Sequence, residues 1–73
     1  MVQGARLFQQ VQEAVERQGA KGMKLWRLAG GLTPLVSPRT ALDNLKHITE
    51  VVAADFEDEA RALIRDLDEL FKQ

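Results

Sequence analysis

His47 is the only histidine of the chain, and Asp43 stands four residues before it, a spacing that brings an imidazole and a carboxylate to one side of a helix. Such a pair could begin a metal site. A zinc site, however, is built mostly from several Cys and His ligands together, and the chain has no cysteine and no second histidine. Helical phase also sets His47 opposite Leu45 and Ile48, so a solvent-facing residue is expected and no metal site. The carboxylates Asp55, Glu57, Asp58 and Glu59 crowd together, but the glycine-containing twelve-residue loop that wraps calcium is absent. They read instead as acids matched to the dipole of a helix start. Ser37 and Thr40 have no base spaced to activate them. Gly-Ala-Lys-Gly at 19 to 22 is too short to cradle a phosphate. No enzyme and no cofactor are expected.

The remaining chemistry is that of recognition. Arg17, Lys21, Lys24, Arg27 and Arg39 follow one another with no acid among them, whereas Asp55 to Glu69 carries seven acids against Arg61 and Arg65. The chain is a charge dipole, which can steer a partner or align antiparallel segments within the roughly 8 Å that physiological salt leaves unscreened. Trp26 lies inside the basic block at the edge of an apolar face. Three roles fit it: core packing, anchoring of a binding surface, and insertion at a lipid interface. Arg17, Lys21, Lys24, Trp26 and Arg27 are therefore the candidate partner-binding set.

These residues must be positioned by helices. From Gln3 to Gln18, Leu7, Phe8, Val11, Ala14 and Val15 fall on one face, with Arg6, Gln10, Glu13 and Arg17 largely opposite. Gly19 and Gly22 weaken the helix by roughly 1 kcal/mol each, yet Leu25, Trp26 and Ala29 resume the stripe in phase. The expectation is one weakened helix or two nearly collinear ones, ended by Gly30 and Gly31. Leu32 to Ser37 is a short connection in which Pro34 blocks helix continuation, and Leu32, Leu35 and Val36 are expected to fold over the end of the bundle.

The second arm is the more strongly patterned. Ser37 can cap the first free amides and Pro38 suits the first helical position. From there Leu42, Leu45, Ile48, Val52, Phe56, Ala60, Leu63, Leu67 and Leu70 keep a single phase. Asp55 and the acids after it resemble the start of a separate helix, but no Gly or Pro interrupts the stretch, so the pattern predicts one long, continuous or merely kinked helix. From Pro38 to Gln73 it would span about 50 Å at 1.5 Å per residue.

The fold expected is all-α: an antiparallel helical hairpin with a break or weak point near Gly19 to Gly22 and a long second helix. Two helices cannot enclose so wide a stripe, so two hairpins are expected to pair into a four-helix bundle, a homodimer whose interface is Leu45, Ile48, Val52, Phe56, Leu63, Leu67 and Leu70. Residues 1–73 make one domain, short enough to need reinforcement. An apolar fraction of 45% and a charged fraction of 29% are those of a folded chain. The lack of cysteines fits a reducing compartment, no run reaches the length of a membrane span, and no basic-then-apolar leader follows Met1. A cytoplasmic location is expected. The function these features favour is a non-enzymatic interaction, assembly or regulatory module, an adaptor that binds itself and another protein. The alternatives are a small nucleic-acid-binding regulator using Arg17, Lys21, Lys24, Arg27 and Arg39, against which the net charge of −1 weighs, and a module lying on a membrane surface.

Overall fold

The computed structural model describes the backbone of residues 2–51 and 54–72, with side chains from residue 6 onward. Among these the chain is all-helical: α1 (Val2–Arg17), α2 (Gly19–Leu28), α3 (Pro38–Ile48), a 3-10 turn at Ala54–Phe56, and α4 (Glu57–Phe71). α4 is the hub, touching α1, α2 and α3, while α2 also touches α1 and α3.

Both expected arms are broken. The first breaks at Gln18, where α1 stops and Gly19 takes φ +71°, a left-handed conformation that costs a residue with a side chain roughly 1–2 kcal/mol. The two helices are not collinear. A straight continuation would separate Val11 from Trp26 by about 22 Å along the axis, whereas both line one groove. Phase alone could not show the bend, because a stripe can resume in register on a helix that has turned back toward its predecessor.

The second break overturns the long continuous helix. Thr49 N–H still donates to Leu45 O at 3.0 Å, but Glu50 N–H reaches His47 O and Val51 N–H reaches Ile48 O. These i to i−3 bonds tighten and finish α3. The Thr49 hydroxyl also donates to Leu45 O at 2.8 Å. α4 then begins without a side-chain cap, its first turn carrying Glu57, Asp58 and Glu59, which meet the positive end of the helix dipole. Asp55 is thus in the 3-10 turn before α4 and not a mid-helix residue. The molecule measures 38 × 22 × 21 Å, too short for a 50 Å rod. Folding back is favourable because it lets α4 bury Ala60, Leu63 and Leu67 against three helices of its own chain.

The expected start of α3 is present: Ser37 Oγ accepts from Thr40 N–H at 3.2 Å with Pro38 at the first helical position. α2 ends as expected at a glycine, with Gly30 at φ +90°. Its last turn is also held from outside, Asn44 Nδ2 donating to Ala29 O at 3.0 Å. α3 and α4 are joined at their surface by Lys46 and Asp68, 3.1 Å apart, and by Arg39, whose guanidinium lies 5.3 Å from the Phe71 ring centre.

The core draws on all four helices: Val11, Ala14 and Val15 of α1, Leu25 and Trp26 of α2, Ala41, Leu42 and Leu45 of α3, and the buried residues of α4. Leu45, Leu63 and Leu67, expected at a dimer interface, are enclosed within one chain. Ile48, Phe56 and Leu70 are partly buried against that same core. Val52 lies outside the described residues.

Candidate functional site

The residues picked for recognition divide into three groups. Trp26 is 2% exposed and packs in the core, so it is no projecting anchor. Its indole is fixed by a close backbone approach: Gly31 N–H donates to Trp26 O at 2.9 Å, and a Cβ placed on Gly31 would lie 2.0 Å from Trp26 Cε2. Only a glycine fits against the ring.

Lys21 and Lys24, one turn apart on α2, are engaged within the chain. Their ammonium groups lie 5.8 and 5.7 Å from the centre of the Phe56 ring, within reach of a cation–π attraction. Lys21 Nζ also donates to Asp55 O at 2.9 Å. The pair therefore fastens the 3-10 turn, and with it the start of α4, to the outside of α2. This contact joins residues more than thirty positions apart, so no local spacing announced it.

Arg17 and Arg27 form the third group. Both are exposed, and among the described residues neither enters an ion pair. Beside Arg27 stands Leu28, a large apolar side chain left 64% exposed. At helical spacing Lys21, Lys24 and Leu28 share one side of α2, with Arg27 beside them. The outer edge of α2 is thus a cationic strip with an aliphatic end. His47 and Asp43 are exposed on α3, and no group of three or more potential ligands assembles among the described residues.

Sequence reasoning missed a second surface. Phe8, Val11 and Gln12 of α1, Trp26 of α2 and the connection from Gly31 to Pro38 surround a groove of about 410 Å³. A shallower depression of about 140 Å³ continues past Leu32 toward Val15, Glu16 and Met23. Phe8, expected on the buried face, is 53% exposed, and Leu35 beside the groove is 93% exposed. The available signal was composition: Leu32, Pro34, Leu35 and Val36 give this connection far more apolar surface than a solvated loop needs. Of the three residues expected to fold over the helices only Val36 packs on the core, while Leu32 and Leu35 stay exposed, and a trough remains between the connection and α1.

No protein-family model, curated protein or solved structure matches this chain.

Proposed function

We propose that the chain is a non-enzymatic interaction module that docks an acidic protein surface along the outer edge of α2 and self-associates as a homodimer. The observation that carries this reading is the exposed Leu28 beside Lys24 and Arg27 on α2. An aliphatic side chain with cations around it offers a partner both apolar area and charge complementarity. The chain's own acid-rich stretch, Asp55 to Glu69, is such a partner. In a two-fold dimer the α2 edge of each copy would meet the acidic segment of the other, as isologous symmetry requires. With Leu45, Leu63 and Leu67 enclosed, the dimer would rest on these outer surfaces.

Sedimentation equilibrium at low and high salt, on wild type and on a variant with Arg17→Ala, Arg27→Ala and Leu28→Ser, tests this. The expected result is a dimer that weakens with salt and with the substitutions. A monomer at every concentration and salt would remove the self-association. Capture from native cells with wild type and variant in parallel tests the second partner, which should be lost with the variant. The nucleic-acid reading has less support, since two cations of its patch are drawn to Phe56. Affinity for unrelated duplexes that falls steeply with salt would restore it.

A further inference from the structure

The groove contains a polar group that the fold leaves unused. Trp26 is almost wholly buried, yet its indole N–H donates to no acceptor among the described residues. The nitrogen is also not sealed into the core, since no buried side-chain nitrogen or oxygen among them lacks a partner. Its small accessible area must open to one side. Trp26 lines both the groove and the shallower depression past Leu32, so that side is this continuous trough, with Gly31 packed close on the ring. Buried tryptophans usually find an acceptor for this N–H, and the trough that Trp26 lines offers room for one.

The rest of the wall narrows the chemistry. No charged side chain lines the groove, and Phe8, Leu32, Pro34 and Val36 make it apolar. Two further side chains of the wall can donate a hydrogen bond. The Thr33 hydroxyl already accepts from Leu35 N–H, leaving its own proton free among the described residues, and Gln12 adds an amide. The volume of about 410 Å³ falls within the range of roughly 300–1,000 Å³ seen for small-molecule sites. We propose that this groove is a binding site for a small, neutral, largely apolar molecule carrying a carbonyl-type acceptor, which takes the hydrogen bond of Trp26 Nε1–H. The apolar body lies between Phe8 and the connection, and Leu32 separates it from the shallower depression. A charged ligand is disfavoured, because nothing in the wall would compensate its desolvation. The site is separate from the α2 edge and stands or falls without it.

The chain has a single tryptophan, so one indole N–H resonance reports on the site. We choose acetophenone as the ketone probe and ethylbenzene as its isostere without the acceptor, each titrated into the ¹⁵N-labelled full chain. Both should shift the amides of Phe8 and Thr33 saturably, and only acetophenone should move the indole proton downfield. In Trp26→Phe, which keeps a ring but loses the donor, the affinity of acetophenone relative to ethylbenzene should fall about five-fold, the effect of one net hydrogen bond. If that variant does not fold, the wild-type indole shift decides. The proposal is overturned if neither probe gives saturable shifts at the groove, if ethylbenzene moves the indole proton as far as acetophenone does, or if the affinity ratio is the same in Trp26→Phe. It is also overturned if the indole resonance moves with protein concentration alone, which would assign the groove to a second copy.

Discussion

Replacing Gly31 with alanine isolates a single physical effect. Gly31 does not adopt a positive φ, unlike Gly19 and Gly30, so alanine meets no backbone penalty there. The penalty is steric: the new Cβ would lie 2.0, 2.1 and 2.4 Å from Cε2, Nε1 and Cδ2 of Trp26, far inside van der Waals contact. The ring is packed in the core, so it can move aside only by disturbing its neighbours. Either the connection lifts or the indole shifts, and both open the packing around Val11 and Leu25. Overpacking of this kind costs about 1–3 kcal/mol, and for a domain of this size each kcal/mol lowers Tm by about 4–8 °C. Gly31→Ala should therefore melt on the order of 10 °C below wild type by circular dichroism, with the tryptophan emission of the folded state altered. Gly19→Ala is the control. Its Cβ meets nothing within 4 Å, so only the left-handed backbone strain of about 1–2 kcal/mol applies, and its tryptophan emission should not change. A Gly31→Ala protein with wild-type Tm and emission would refute the close approach of the connection to Trp26.

Two further outcomes follow from the packing. Leu63→Ala, at a site with no exposed surface, should cost about 2–5 kcal/mol; because that site is enclosed by its own chain, the loss measured by urea unfolding should be the same at low and high protein concentration. Lys21→Ala with Lys24→Ala should cost about 1–2 kcal/mol through the two contacts to Phe56, accompanied by faster amide exchange across Ala54–Phe56. Stability unchanged in that double variant would return both lysines to the free surface.

The local punctuation of the fold was legible because it is carried by single residues. Ser37 followed by Pro38 marks the start of α3, Gly30 the end of α2, and Gly19 an interruption, each through backbone conformation that neighbours hardly influence. The two turns of direction were not legible for the opposite reason. Apolar phase reports which side of each helix is buried, and all four helices bury a side against one centre. α3 and α4 can thus share a phase across residues 49–53 without sharing an axis. The acids from Asp55 to Glu59 were the true signal of a second start, outweighed in the sequence by the lack of Gly or Pro. What replaced a glycine was the run of i to i−3 bonds at Glu50 and Val51, a local tightening that many residue types allow.

The same distinction separates what could be read of the surface from what could not. A block of cations is visible in any sequence, but whether a cation is free depends on what the rest of the chain brings to it. Once α4 folds back, Phe56 comes to rest against Lys21 and Lys24, and half the basic strip acquires a structural role. Leu63 and Leu67 are enclosed in the core of the same chain. Arg17, Arg27 and Leu28 remain exposed, and a trough stays open beside Trp26. Gly31 lets the connection approach the indole closely, and the trough lies between that connection and α1. Glycine at that contact thus serves the fold and the groove at once, and a side chain there would disturb both together.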